Sequence, residues 1–561
     1  MPRFAADLLA ATRRLAARTA DLAVRRRWWV VGGLVVVQWA IVAHEALGSI
    51  PHNGWLYYNG DDAPWYWTSA YTLAHLHVPQ TLVGLGWPVV LAPLAAIFGP
   101  DMANGLPAVI VLNVVVLGAA AVVGIYLVGE RIAGRLFGLW ATVVWVVAPS
   151  LGIALYVSYD RPTLVDYFMP TGRGLNALSD YPSMVVVIFA AYFTLRALES
   201  GALQDAVLCG VVTGFLIEVK PANGPFAVAA AAALLAASRW RTLAVAAAAM
   251  VPALVALTLW KHTGQGNIPL LAAGTAREAA GVTREAIALP QTDKYLNLDW
   301  HHLLRSLRDF QEVFWSVRLL EFGFFGGTIG LLIRSWRKGL LVVAWFVLFA
   351  IVKGTFQYAN VEDASLYRFL QPAWPAWILM LAGIAYLWPV GPGGRARRSR
   401  DDGERARRMR PVPRVLAAVI VVALALVPLA FAAAATTVPK GSVAFQTTHG
   451  SLIAVVDFNL QAHVVRPGVV RLTWNAIGTS RASSSYLVFK DRTDGCSYPG
   501  SGAQQCNFDM KTLHSTPLPS FVDTHAHGRL VYRVGLAATW RVDPNTDDLQ
   551  LLSTPVTVDV P

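Results

Sequence analysis

GPGGRARRSRDDGERARRMRPVPRVLAAVIVVALALVPLAFAAAA, residues 391–435, joins eight arginines between Arg395 and Arg410 to a run, 415–435, without one charged side chain. At 1.5 Å per residue such a run is about 30 Å long as a helix, the thickness of a bilayer's hydrocarbon core. Backbone groups in hydrocarbon have no water to bond to, so the run is expected to be helical. Arginines cluster on the cytoplasmic flank of spans. This one stretch therefore predicts a membrane-crossing helix and says which side its basic flank occupies.

The rest of the chain repeats the pattern. Of 561 residues, 55% are hydrophobic and 14% charged, with a mean hydropathy of +0.48. Soluble proteins carry about 25% charged residues, so a disordered chain and a single soluble globule are both excluded. The net charge of +12 and pI near 9.7 do not indicate nucleic acid, because the charges sit in blocks. Arg3, Arg13, Arg14, Arg18, Arg25, Arg26 and Arg27 precede the first apolar run, while Ser49 to Gly105 holds no Lys or Arg. Blocks of this kind report sidedness in a plasma membrane, with a small added attraction to anionic lipid.

Apolar runs predict about eleven spans, at 28–48, 106–128, 136–157, 182–198, 203–219, 222–237, 242–260, 313–333, 339–353, 369–388 and 414–435. With residues 1–27 cytoplasmic, the inner loops are 129–135, 196–202, 238–241, 334–338 and 391–413, each containing arginine. LVGLGWPVVLAPLAAIF (82–98) is apolar but carries Pro88 and Pro93. Counting it as a span would put the eight-arginine loop outside, so it is read as lying along the outer surface. The outer loops are then 49–105, 158–181 and 261–312, within a transmembrane domain 28–435. An odd span count places the C-terminus outside. There, 440–561 alternates in short runs broken by Pro, Gly, Asn and Asp, the pattern of an extracytoplasmic β-sandwich. The expected class is an α-helical polytopic membrane protein with that domain appended. Cys496 and Cys506 lie in it, where an oxidising compartment allows a disulfide; Cys209 falls within a span.

Chemistry is sought among ionisable groups at the outer ends of spans, since burying them is costly without a partner or a task. The first outer loop, WLYYNGDDAPWYWTSAYTLAHLHVP (55–79), sets Asp61 and Asp62 among Tyr58, Trp65 and other aromatics. This is the pattern of an interfacial belt with a turn, or of a carboxylate base beside ring faces suited to sugars or lipid. The second, YVSYDRPTLVDYFMPTGRGLNALSDYPSM (156–184), holds Arg161, Arg173 and Asp180, with Asp180 where a helix cap would stand. Glu218 and Lys220 close the fifth span. Arg368 begins the tenth, where a lone cation opposes the helix dipole and so calls for an anion. The paired histidines (75/77, 301/302, 525/527) lack the spacing of a zinc site.

Three segments together resemble the GT-C glycosyltransferases of the protein O-mannosyltransferase and aminoarabinose-transferase type. GVVTGFLIEVKPANGPFAV (210–228) resembles their G-x-x-x-G-x-x-x-x-x-K-P segment, and LYRFLQPAWPAWILML (366–381) their R-Y/F-L-x-P-x-x-P segment. SDYPSMVVVIFAAYFTLRAL (179–198) is similar to their acidic residue opening the fourth helix. An Asp pair in the first outer loop and a proline-containing surface helix complete the order over roughly 28–390. Glu218 departs from it, standing where the family has an apolar or small residue, and the C-terminal sandwich has no counterpart in the bacterial members.

The resemblance implies inverting transfer of a sugar from a polyprenyl-phosphate donor to an extracytoplasmic glycan, lipid or protein acceptor. Lys220 and Arg368 would hold the donor phosphate. Asp61 or Asp62 would be the base, with Asp180 as a further catalytic carboxylate. Tyr58, Trp65, Arg161 and Arg173 are possible substrate contacts. No metal ligand is assigned and no cofactor is certain; some members use a divalent cation, which the two adjacent carboxylates could bind. Two other classes stay open. A transporter or flippase of lipid-linked sugars would place its charges at mid-membrane with internal repeats, and a non-catalytic envelope scaffold would not depend on the aspartates. In the tail, Trp474 and Trp540 suit either glycan binding or a packed core.

Overall fold

In the computed structural model the described residues are 18–48, 63–76, 83–99, 102–155, 169–265, 299–314, 318–356, 359, 365–387, 411–437, 444–447, 452–456, 458–476, 484–493, 506–508, 510–539 and 547–561. The helices run α1 (Arg27–Gly48), α2 (Ala63–Ala74), α3 (Gly86–Phe98), α4 (Met102–Val111), α5 (Gly118–Ala133), α6 (Arg135–Leu155), α7 (Met169–Gly172), α8 (Asp180–Ser200), α9 (Leu203–Val219) and α10 (Gly224–Ala236). They continue with α11 (Trp240–Gln265), α12 (Trp300–Phe314), α13 (Arg318–Arg334), α14 (Trp336–Gly354), α15 (Ser365–Leu370), α16 (Trp374–Ala382), α17 (Arg414–Val421) and α18 (Val427–Thr437). A π-helical turn, Leu112–Leu117, makes α4 and α5 one rod, and another, Val422–Leu426, joins α17 to α18.

Among the described residues six helices are long and apolar enough to cross a membrane: Arg27–Leu47, Gly105–Ala133, Asp180–Ser200, Trp240–Trp260, Leu366–Tyr386 and Arg414–Ala434. The other five expected spans are also helical, as α6, α9, α10, α13 and α14. Here, however, some of the helices are short, with 17 residues in α9 and α13 and 13 in α10, and charge enters α14 with Arg337, Lys338 and Lys353. The count of eleven is thus not given by helix length. The stretch 82–98 yields a 13-residue helix, about 20 Å long and short of a bilayer. All three regions read as outer loops contain helices, α2 and α3 in 49–105, the one-turn α7 in 158–181 and most of the amphipathic α12 in 261–312.

The loops expected on the inner side meet at one end of the bundle. Glu199 accepts from Arg131 (2.9 Å) and Lys338 (2.6 Å), and its carbonyl from Arg239 (3.4 Å). Gln204, just beyond, donates to the carbonyl of Val412 (2.8 Å). Close helix packing depends on small residues, as it does where lipid removes the hydrophobic drive between helices. The two glycines of the G-x-x-x-G segment serve this purpose. A Cβ on Gly210 would stand 2.1 Å from the Ala246 carbonyl, and one on Gly214 2.8 Å from Ala253.

The C-terminal strands are β1 (Ala444–Thr447), β2 (Leu452–Val456), β3 (Gln461–Arg466), β4 (Val469–Thr473), β5 (Ser484–Asp491), β6 (Cys506–Phe508), β7 (Lys511–Thr516), β8 (Ser520–Asp523), β9 (Gly528–Thr539), β10 (Asp547–Ser553) and β11 (Val556–Val560). One sheet has the order β6-β1-β2-β10-β9-β5-β7, with β11 also on β9; the other is β3-β4-β8. Both sheets contribute to one core of Phe458, Leu472, Trp474, Tyr486, Tyr532 and Leu536. Trp474 is 7% exposed and packs edge-on to Tyr486, so its ring is part of the core and presents no face to a glycan. The sheets are also pinned by Asp523 of β8. It accepts from Lys490 (2.9 Å) on β5, Tyr532 (2.7 Å) on β9 and the His525 N–H (3.0 Å). Burial alone would raise the Asp523 pKa, but these hydrogen bonds outweigh it and hold the carboxyl below its ordinary value. Cys496 and Trp540 lie outside the described residues, and the expected pairing of Cys496 with Cys506 goes untested for that reason.

Candidate functional site

Asp180 is the first residue of α8, where an acidic group is favoured by the helix dipole. It does not cap its own helix. With its side chain 1% exposed, it faces two cations from distant parts of the chain. Lys220 Nζ donates to Oδ1, and Arg368 Nε donates to Oδ2 at 3.0 Å. The anion that Arg368 answers is therefore internal.

Local sequence explains why Lys220 reaches the site. A residue before proline is forced out of the helical region, and Lys220, preceding Pro221, is extended (φ −151°, ψ 111°), which ends α9 there. The following turn, Pro221–Asn223, is tied back by the Asn223 amide, which donates to Ser183 Oγ on α8 and to the Leu216 carbonyl, both at 3.0 Å. Two further helices dock beside Asp180. Ser179 Oγ donates to Tyr66 of α2 (2.5 Å), and Trp87 of α3 donates to the Ala177 carbonyl (2.9 Å). The start of α3 sits on the end of α9 because Gly84 has no side chain; a Cβ would lie 2.2 Å from the Glu218 carbonyl. Strands β2 and β10 also approach α2.

Sequence reasoning missed a third cation. Lys353, in the last turn of α14 and 4% exposed, lies within electrostatic range of Asp180 and Lys220. The three cations surround the Phe369 ring, with Lys220 Nζ 5.6 Å, Lys353 Nζ 5.7 Å and Arg368 Cζ 5.9 Å from its centroid. A lysine ending an apolar helix was the available signal; its neighbours were not. Glu218 is wholly buried two residues from Lys220, and neither carboxyl oxygen has a hydrogen-bond partner among the described residues.

Arg173 is paired with a residue that no reading singled out. Glu45 of α1 receives its Nε at 2.7 Å and Nη2 at 2.8 Å, a bidentate pair buried in the bundle. Asp61, Asp62, Tyr58 and Arg161 lie outside the described residues. Trp65 belongs to α2, but its side chain is outside the description. The structure thus brings together Asp180, Lys220 and Arg368, and sets Arg173 in a pair of its own. Among the described residues no group of three His, Cys, Asp or Glu side chains is arranged to hold a metal.

An ammonium and a guanidinium offer three and five N–H donors, more than one carboxylate accepts. Asp180 fixes both of them at one end of the helix bundle. No family model and no curated protein matches the chain. Among solved structures, the crystal structure of the Archaeoglobus fulgidus oligosaccharyltransferase in the apo form is similar at 13% identity and TM-score 0.35, covering 75% of this chain and 57% of that one. The same enzyme in complex with zinc and sulfate gives 13% and 0.32, covering 71% and 53%. This chain spans little more than half of that enzyme's length, and a likeness of this degree transfers neither mechanism nor substrate.

Proposed function

We propose that the protein is a membrane glycosyltransferase of the GT-C kind that moves a sugar from a polyprenyl-phosphate donor to an acceptor outside the cytoplasm. The observation that supports this reading is the convergence of Asp180, Lys220 and Arg368. They come from three separated segments, each singled out by its resemblance to that family.

In this reading Lys220 and Arg368 hold the donor phosphate, the guanidinium by two parallel hydrogen bonds and the ammonium as a point charge. The acceptor oxygen bonds to the anomeric carbon from the face opposite the phosphate. The carbon–oxygen bond to phosphate breaks, and the electron pair leaves with it. The growing negative charge falls on cations already in place, which need no reorganisation during the step. The acceptor's proton passes to a carboxylate. Asp180, with both oxygens engaged, is assigned to positioning the cations, and the base is assigned to Asp61 or Asp62, in the segment leading into α2. Tyr66 of α2 bonds to Ser179, so that helix starts close to the cation cluster.

The test is binding of a sugar-free polyprenyl monophosphate to protein in nanodiscs, followed by single-turnover transfer from the sugar-loaded lipid. Arg368→Gln should weaken phosphate binding, Arg368→Lys should restore part of it, and Lys220→Met should add to the loss. Asp61→Asn should keep phosphate binding and lose about 10²–10⁴ in transfer rate, with Asp62→Asn less affected. Unchanged phosphate binding in both cation variants would return the cluster to a purely structural role.

A further inference from the structure

WHHLLRSLRDFQEVF (300–314) forms α12, and the helix has a start of its own. Asp299 Oδ1 accepts from the backbone N–H groups of His301 (2.9 Å) and His302 (3.2 Å), the bonds of an N-cap. Residues three and four apart share one face of a helix, and by that rule residues 300–308 divide into three faces.

The first face is docked on the end of α14. Leu303 and Ser306 are buried there, Ser306 Oγ donates to the Gly354 carbonyl (3.1 Å), and a Cβ on Gly354 would stand 2.8 Å from Leu303. His302 Nε2 lies 3.2 Å from the Ala359 carbonyl. Gly354 follows Lys353, so α12 sits beside the third cation of the Asp180 cluster. The second face is apolar and open, with Trp300, Leu304 and Leu307 exposed to 58%, 60% and 41%. The third, His301, Arg305 and Arg308, is polar and exposed.

Neither water nor hydrocarbon suits both open faces. Water would leave three large apolar side chains together on one stripe, and hydrocarbon would bury two guanidinium groups at high cost. The boundary between them satisfies both, since Trp is favoured there and arginine stems extend along apolar surface with the charge in water. The neighbouring chain agrees. Arg318 begins α13 four residues after α12 ends at Phe314, and α13 carries an open apolar stripe of Phe322, Phe325, Ile329 and Ile333, as a lipid-facing helix does. Arg305 and Arg308 are followed by Asp309 and Glu312, which cancel their charge. Apolar burial, and not attraction to anionic headgroups, is then the force available.

We infer that α12 is an interfacial helix whose partner is the bilayer itself, with Trp300, Leu304 and Leu307 among the upper acyl chains and Arg305 and Arg308 in the headgroup layer. The inference does not depend on the transferase reading.

The test places one small fluorophore on Leu304→Cys, Leu307→Cys, Arg305→Cys or Arg308→Cys in the full-length protein. All four side chains are exposed, so the substitutions leave the packing untouched. Each is reconstituted in phosphatidylcholine nanodiscs with and without a nitroxide at carbon 5 of the acyl chain, and labelled native protein supplies the background from Cys209, Cys496 and Cys506. Nitroxide lipid should quench positions 304 and 307 at least about threefold more than 305 and 308, because a helix about 10 Å across at the boundary has one side in acyl chains and another in water. Aqueous iodide should give the reverse order. The label is the same at every position, so its own affinity for lipid cancels. Lipid quenching at 304 and 307 no stronger than at 305 and 308 would overturn the proposal. If iodide then reaches 304 and 307, the face is in water; if both quenchers are excluded, a second copy of the chain or a protein partner covers it. Loss of the contrast in high salt would replace apolar seating by electrostatic attachment and overturn it as well.

Discussion

Replacing Asp180 by Asn would expose what the central carboxylate does. Asn keeps the shape but removes the charge that two cations share, leaving Lys220 and Arg368 facing each other across a buried site. Two unit charges about 4 Å apart interact by roughly 4 kcal/mol at an effective dielectric of 20. Removing one partner of a buried ion pair costs about 3–5 kcal/mol because the other is left uncompensated. Both cations keep 15% side-chain exposure, so water recovers part of that, and the lower end, about 3 kcal/mol, is expected. Arg368→Gln leaves Asp180 with Lys220 and should cost less, about 1.5–3 kcal/mol for one charged hydrogen bond. The assay is unfolding in mixed micelles followed by a probe in the helical region. Polyprenyl monophosphate should then stabilise Asp180→Asn more than the native protein, since the ligand supplies the anion that the substitution removed. Asp180→Asn with native stability would refute the reasoning. An Asp180→Asn that is destabilised and gains nothing extra from phosphate would confine the cluster to holding helices together.

Glu218→Gln should leave stability unchanged or raise it, because a buried carboxyl without a hydrogen-bond partner among the described residues opposes folding; a clear drop in thermal midpoint would give Glu218 a partner in the segments around it. For the β region, Asp523 has a lowered pKa and contributes stability fully above the ordinary carboxyl value near 3.9, losing it as pH falls through the lower folded value. Near-ultraviolet dichroism of the sheets should therefore weaken below about pH 4, and Asp523→Asn should flatten that acid limb at a cost of about 1–3 kcal/mol at neutral pH; an unaltered limb would assign it to other groups. Cysteines introduced at Asp402 and Asn475 should label from opposite sides of the membrane, the first cytoplasmic; labelling from one side would mean that 82–98 or another short helix is miscounted. Cys496 and Cys506 should be recovered as one disulfide by mass spectrometry of the mature protein, a cross-link over a short loop contributing about 2–3 kcal/mol; free thiols in both would count against it and against the external placement of the tail.

The sequence by itself determined what depends on neighbours along the chain. Apolar length made the long helices, Pro221 ended α9 at Lys220, and alternating apolar residues made the C-terminal strands. The arginine blocks grouped the loops that do meet around Glu199. Asp180, Lys220 and Arg368 were legible one at a time, as charges too costly to leave at helix ends without a reason. Their joining was decided only by the tertiary structure, because a charge chooses its partner through space, and those three residues are 40 and 188 positions apart. The same holds for Lys353 and for Glu45 against Arg173. Each is ordinary in its own segment and takes its meaning from the helix packed opposite. Gly210 and Gly214 carry the same lesson in reverse, for a spacing legible as a motif turns out to be the room that α11 needs to approach. Helix length and helix ends are set by bonds within a few residues, whereas burial and partnership are set by which helices pack together.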